Sequence, residues 1–276
     1  MSTLITSAPV QGDRAAWHDT RVGRFTASTI GALMTEPRSK ADKDAGKFGQ
    51  TAMSLIMKKA VERINGRPVH THADFSMKRG TLLEHAMIHL LNKYGTIGEI
   101  AACTWQPLGT NSGATPDGLL EDGSPVDLKC PQSEVDVYAF GDAVQPDGSW
   151  EQLLEWNKDY AWQVATQAMA VGSKYGTLIY ATDKMPWVPI TGEDVDTCND
   201  IMEAVAEKLT SLTGQIYDYR LSTENGAGFA YLARTVEVPE YAFERIAAVL
   251  ERAEAECTSM VERLRMVRPT LNTVAA

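Results

Sequence analysis

Residues 151–172, EQLLEWNKDYAWQVATQAMAVG, space their apolar side chains as a helix does, stop on Gly172, and lead at once into the strand-like YGTLIYA. A helix of this length between two strands is what a parallel crossover requires, because a tight turn cannot join parallel strands. Upstream, helical spacing is predicted through 27–34, 50–64 and 80–95, the last closing on Gly95. Residues 99–106, 111–119 and 125–130 cluster or alternate apolar residues between Gly, Asp, Asn and Pro. They predict three strands, with EDGS at 121–124 as a hairpin turn. The order helix, three strands, helix, strand predicts an α/β fold in which the crossover helix covers one face of a mixed sheet. A chain of 276 residues, 44% of them hydrophobic, can bury a large core, and a single domain over 1–276 is expected.

No run of 18 apolar residues occurs, and the start MSTLITSAPVQGDRAAW lacks the basic-then-apolar order of a signal peptide. A cytoplasmic protein with no membrane partner is expected. Cys103, Cys130, Cys198 and Cys257 form no CxxC pair, so neither a zinc site nor a disulfide framework is indicated. His18, His70, His72, His85 and His89 show no ligand spacing with them and are assigned to no metal.

The net charge of −10 at first argues against nucleic acid as a partner. Its distribution does not. Residues 1–79 carry 13 Lys and Arg against 7 Asp and Glu, a balance of +6, which leaves −16 for residues 80–276. The cations cluster at Arg14, Arg21 and Arg24, at Arg38, Lys40, Lys43 and Lys47, at Lys58, Lys59 and Arg63, and at Lys78 and Arg79. A solvated face accounts for any one cluster, yet the asymmetry permits a charged groove.

The stretch GATPDGLLEDGSPVDLKCP, residues 113–131, carries the chemistry. Side chains alternate along a strand, so Asp127 and Lys129 share one face and Leu128 takes the other. If the EDGS turn pairs the flanking strands, Asp117 reaches the same face, and two carboxylates then share a site with an ammonium. Carboxylates that close repel unless a cation is present, and hard oxygen ligands suit Mg²⁺ or Mn²⁺. Such a site suits phosphodiester hydrolysis, with Lys129 orienting water or stabilising developing negative charge. The similar QPDGSW at 145–150 has no acid-x-Lys strand after it, and Asp147 reads as a turn residue.

The P-D, spacer, D-x-K pattern resembles the PD-(D/E)xK nuclease superfamily. AWHDTRVGRFTAS at 16–28, PRSK at 37–40, GTLLEHA at 80–86, SGATPDGLLEDGSPVDLKCP at 112–131 and YAWQVATQAMAVG at 160–172 follow in order. Together they resemble the phage lambda exonuclease group, the YqaJ-like viral recombinase nucleases, across most of residues 13–182. Residues 186–232 look like an insertion with its own helix, and 233–268 like the terminal strand and a long terminal helix. The resemblance implies a PD-(D/E)xK core, a mixed sheet flanked by helices.

It further implies that Asp117, Asp127, Glu84 and the Leu128 carbonyl are ligands of Mg²⁺, for which Mn²⁺ substitutes, and that Lys129 is the catalytic lysine. Where the family more often has Glu, this chain has Asp127, one methylene shorter. Gln163 and Gln167 share one helix face; the family's helix glutamine matches Gln163 first and Gln167 second. Arg21, Ser28 and Thr115 match the residues around a terminal 5′-phosphate, while the family's second phosphate-binding arginine would fall near Val135, where there is none. The implied activity is 5′-to-3′ digestion of one strand at duplex DNA ends, leaving a 3′ tail for a single-strand-annealing partner, by a ring-shaped homotrimer. A host repair or CRISPR-associated nuclease of the same superfamily, or a catalytically inert interaction protein, is the alternative. The stripe Phe243, Ile246, Leu250, Ala253, Cys257, Met260 and Leu264 fits either a coiled-coil seam or a helix packed on its own core.

Overall fold

The computed structural model describes residues 20–69, 74–221 and 227–267. His18, His70, His72 and the first part of the 16–28 stretch lie outside the described residues. In chain order the main elements are β1 (Phe25–Thr26), α1 (Gln50–Asn65), α2 (Phe75–Tyr94), β2 (Gln106–Gly109), β3 (Ser112–Ala114), β4 (Gly118–Leu119) and β5 (Pro125–Lys129). There follow α3 (Glu134–Ala143), α4 (Trp150–Trp156), α5 (Lys158–Val171), β6 (Tyr175–Thr182), β7 (Val188–Pro189), α6 (Gly192–Thr213), β8 (Gly228–Glu237) and α7 (Glu240–Val267). Five strands form a mixed sheet in the order β4-β5-β6-β8-β7, and β1, β3 and β2 form a second, small sheet.

Strand β6 organises the molecule because seven of its eight residues are buried. It pairs parallel to β5, with Asp127 opposite Leu178 and Lys129 opposite Tyr180, and antiparallel to β8 along its whole length. Its side chains divide by alternation. Leu178 and Tyr180 enter a core with Ile56 and Ala60 of α1, Ala161 and Ala165 of α5, and Ile246 and Ala253 of α7. Ile179 and Ala181 enter a second core with Leu83 and Leu90 of α2 and Val195 and Met202 of α6. The sheet is thus buried on both sides, and helices cover both faces, as a parallel pair demands. Gly176 allows the close approach of α5 to β6: a Cβ there would stand 2.4 Å from Val164 Cγ1.

The crossover between β5 and β6 is three helices, not one. The periodic run expected at 151–172 breaks at Asn157, which closes α4 and, in an extended conformation, caps α5 by accepting from the Tyr160 N–H at 3.1 Å. Residues 134–143, where no element is predicted, form α3, capped by Ser133. Helix α2 begins at Phe75, ahead of the expected residue 80, because Asp74 accepts from the Met77 N–H and starts it. Of the strand expected at 99–106 only the bridge between Ala101 and Leu119 and the start of β2 exist. The EDGS turn forms as expected: Gly123 adopts φ +81, and Asp122 accepts from both the N–H and the hydroxyl of Ser124. The last strand starts at Gly228, ahead of residue 233. The apolar stripe of α7 packs on the chain's own core, with Ile246, Ala253 and Cys257 fully buried. Cys103, Cys198 and Cys257 are buried, Cys130 is half-buried, and all four thiols are free. Among the described residues no helix is long and apolar enough to cross a membrane.

The packing of α6 on α2 centres on Asp194, which is 1% exposed. Its Oδ2 accepts from Thr191 N–H (2.9 Å), Thr191 Oγ1 (2.6 Å) and Tyr94 Oη (2.6 Å), and Lys93 pairs with Oδ1. Burial opposes the charged form, but Lys93, Thr191 and Tyr94 overcome it and hold the carboxyl well below the usual range. A depressed carboxyl stabilises the fold above its unfolded pKa and loses that contribution as pH falls through the folded one. Asp194→Ala should therefore lower the unfolding free energy by about 2–3 kcal/mol at neutral pH. In urea melts the gap to the native chain should narrow below about pH 4.

Candidate active site

Alternation along β5 sends Val126 and Leu128 into the core under α2 and α6, and turns Asp127 and Lys129 toward α5. Asp127 is 1% exposed. Its Oδ1 accepts from Gln163 Nε2 at 2.5 Å and Gln167 Nε2 at 2.9 Å, and Lys129 Nζ stands 2.6 Å from its Oδ2. Both glutamines therefore reach one carboxylate oxygen, as their spacing of four residues allows. Gln167 is buried, whereas Gln163 is half-buried. The β4–β5 hairpin brings in Asp117. Its backbone N–H donates to Val126 O at 2.9 Å, and its Oδ2 accepts from the Leu128 N–H at 2.7 Å. Glu84, half-buried in the middle of α2, stands close enough to Asp117 for its charge to act on that carboxyl. Thus Asp117, Asp127, Lys129, Leu128, Glu84, Gln163 and Gln167 come together at the end of the parallel pair.

The electrostatics follow from that gathering. Burial first, and then the charges of Glu84 and Asp127, push the Asp117 carboxyl well above its ordinary value, with Lys129 acting the other way. Burial opposes the Lys129 ammonium, but the charges of Asp127 and Asp117 outweigh it and raise its pKa. Among the described residues no three acids, histidines or cysteines form a ready cage for a metal ion. The donor chemistry nonetheless fits a hard divalent cation. The groups are carboxylate oxygens, and the repulsion that drives Asp117 upward is what a cation relieves. Asp127 offers its oxygens inward, to Lys129 and the two glutamines.

Of these groups Glu84, Leu128 and Lys129 line a cleft of about 850 Å³, together with Arg21, Ser28 and Tyr160, while Asp117, Asp127 and the two glutamines lie behind that lining. Arg21 and Ser28, which precede and follow β1, so share the cleft with Glu84 and Lys129. Thr115 does not line it. That side chain is 8% exposed, and its hydroxyl has no hydrogen-bond partner in the chain. Near the position of the missing arginine, Val135 lies exposed at the start of α3, and Asp136 faces the cleft. The cations of 38–47 stand elsewhere: Lys43 pairs with Glu36 and Lys47 with Asp42.

Two sets of side chains at this site escape sequence reasoning. Lys129 Nζ lies 5.0 Å from the ring centroid of Tyr160, which packs with Trp156 and Tyr180 to form one wall. Tyr160 precedes Gln163 by three residues, and that shared helix face is the signal that could have identified it. The other is Arg79. Its sequence position beside Lys78 suggests a surface cation, yet it is 2% exposed and bonded to the carbonyls of Cys130 and Pro131.

Neither a family model nor a curated protein matches this chain. Solved structures do. An alkaline exonuclease from Laribacter hongkongensis superimposes with a TM-score of 0.61 at 18% identity, covering 93% of this chain and 99% of the other. The same exonuclease in complex with dAMP gives 0.58. A phage-related exonuclease from Haemophilus somnus 129PT gives 0.56 at 18% identity, over 87% of this chain and 96% of its own. Over most of its length, then, the chain has the mixed α/β fold found in these exonucleases.

Proposed function

We propose that this chain is a divalent-metal-dependent exodeoxyribonuclease that digests one strand of linear duplex DNA from the 5′ end and leaves a 3′ single-stranded tail. One observation carries the reading: Glu84, Asp117 and Asp127 act on one another and on Lys129, and Glu84 and Lys129 line the same cleft as Arg21 and Ser28. The shared fold with the alkaline and phage-related exonucleases supports it.

Asp117, Glu84, Asp127 and the Leu128 carbonyl would hold Mg²⁺ or Mn²⁺, which when bound supplies Lewis-acid polarisation of the scissile phosphoryl group and of the attacking water. Lys129 keeps its charge because the acids around it raise its pKa, and it opposes the negative charge that builds on the phosphoryl oxygens. Gln163 fixes Asp127 with one N–H and has a second to offer a water or a phosphate oxygen. Tyr160 limits the swing of Lys129 from the far side. A single-strand-annealing protein would take up the 3′ tail. A homotrimer enclosing the duplex would place the acidic surface outward, in keeping with the net charge of −10.

Duplex DNA labelled at either end, bearing 5′-phosphate or 5′-hydroxyl and incubated with Mg²⁺ or EDTA, tests the reading. Label should leave the 5′ end first, only with Mg²⁺ or Mn²⁺, and Ca²⁺ should support binding without turnover. Full activity in EDTA would remove the metal from the proposal. Absence of degradation with either metal would leave an inert DNA-end or protein-binding module.

A further inference from the structure

Lys78 and Arg79 adjoin in sequence, but the fold separates their roles. Lys78 is half-buried, its Nζ 5.4 Å from the ring centroid of Tyr217. Arg79 turns inward, where a guanidinium is tolerated only when its charge is met, and its Nε is buried without a hydrogen-bond partner. Nη1 donates to Cys130 O at 3.0 Å and Pro131 O at 3.1 Å, and Nη2 pairs with Asp183. The other Asp183 oxygen accepts from Tyr219 Oη at 2.6 Å. The Tyr219 ring lies against the guanidinium, 4.9 Å from its centre, and Lys184 Nζ donates to the same hydroxyl at 3.1 Å. Four separate segments, α2, the chain leaving β5, the loop after β6 and the segment after α6, meet on this one cation.

Cys130 and Pro131 are the two residues after Lys129. Pairing of β5 with β6 ends at Lys129, so beyond that residue no strand partner fixes the backbone. The guanidinium takes over there. With Nη2 held by Asp183, Nη1 grips two successive carbonyls, which sets the direction in which the chain leaves Lys129 and so the point from which the ammonium reaches Asp127.

We propose that Arg79, locked by Asp183 and Tyr219, is a positioning residue for Lys129, and that residues 214–221 thereby belong to the catalytic apparatus. Its effect on rate rests on the nuclease reading above; its effect on the backbone does not. Displacement of a reacting group by a fraction of an ångström to one ångström slows an enzyme by up to about 100-fold without touching substrate affinity.

The test uses the full chain with Arg79→Lys, Tyr219→Phe and the double variant. The readouts are kcat, KM for duplex ends, the thermal midpoint, and hydrogen exchange in the peptide spanning 126–135. Lysine keeps the charge but loses the fork, and kcat should fall about 30- to 100-fold with KM within about twofold. Tyr219→Phe removes one hydroxyl and should cost about 5-fold in kcat. The double variant should fall short of the product of the two losses, because both act through one clamp. Exchange should quicken around Lys129 and Cys130 while α1 and α7 keep their protection. Unchanged exchange there in a folded variant overturns the proposal, as does a loss in which KM, kcat and thermal midpoint all move together. Should Arg79→Lys not fold, Tyr219→Phe carries both readouts alone. If the native chain degrades no DNA, the nuclease reading fails, and the exchange measurement still decides whether the clamp exists.

Discussion

Replacing Lys129 with alanine is expected to reduce digestion of duplex ends by about 10³-fold or more while leaving duplex binding in Ca²⁺ intact. The same is expected of Asp117→Ala and Asp127→Ala. Each side chain serves one step: Lys129 sits 2.6 Å from an Asp127 oxygen, and Asp117 is held to the same strand through the Leu128 N–H. Removing any one leaves the others with nothing to act on. The losses should therefore not multiply, and a Lys129→Ala, Asp117→Ala double variant should be about as slow as either single one. Asp127→Ala differs in one respect. It strips Gln163, Gln167 and Lys129 of a common buried acceptor, so it should also lower the thermal midpoint, whereas Asp117→Ala should move it less. Near-native rates for any of the three would sink the assignment.

How much of this was legible beforehand depended on whether the signal was local. The period of two that sets Asp127 and Lys129 on one side of β5 is a property of any strand, and the Asp-Gly turn that brings Asp117 back is written in adjacent residues. Both could be read, as could the stop at Gly172. The break at Asn157 could not, because the apolar spacing runs through it without a Gly or Pro, and only the Asn157 side chain, caught as a cap for Tyr160, marks it. Helix α3 was hidden for a related reason. It is ten residues long and buries only Val137 and Phe140, too few for a helical period to show. Charge was the least legible property. Lys59, Arg63 and Arg79 count toward the basic N-terminal third, yet Lys59 pairs with buried Glu62, Arg63 forks onto Glu254, and Arg79 is sealed under Tyr219. Sequence counts cations; only the fold distinguishes those left for a phosphate from those spent on an internal acid or carbonyl.

Arg21 lines the cleft, and Arg21→Ala is expected to slow digestion of 5′-phosphorylated ends by about 100-fold while slowing 5′-hydroxyl ends only a few-fold. A guanidinium binds a terminal phosphate with paired hydrogen bonds, and the dianion at a chain end gains more from it than an internal phosphodiester does. Arg21 and Ser28 line the same cleft as Glu84 and Lys129, which on the proposed reading would put end recognition and cleavage in one space. The site is thinner than the family pattern implies. Thr115 is buried outside the cleft lining, Val135 stands where a second arginine is expected, and of the 38–47 cations Lys43 and Lys47 are paired with Glu36 and Asp42. Asp136, facing the cleft, adds a charge of the wrong sign for an anion. With so little to share the load, discrimination between the two ends should collapse in Arg21→Ala and be regained only in part by Arg21→Lys, which restores charge without the fork. Equal losses on phosphorylated and hydroxyl ends would mean that Arg21 grips the backbone in general, and end recognition would then have to reside elsewhere in the cleft.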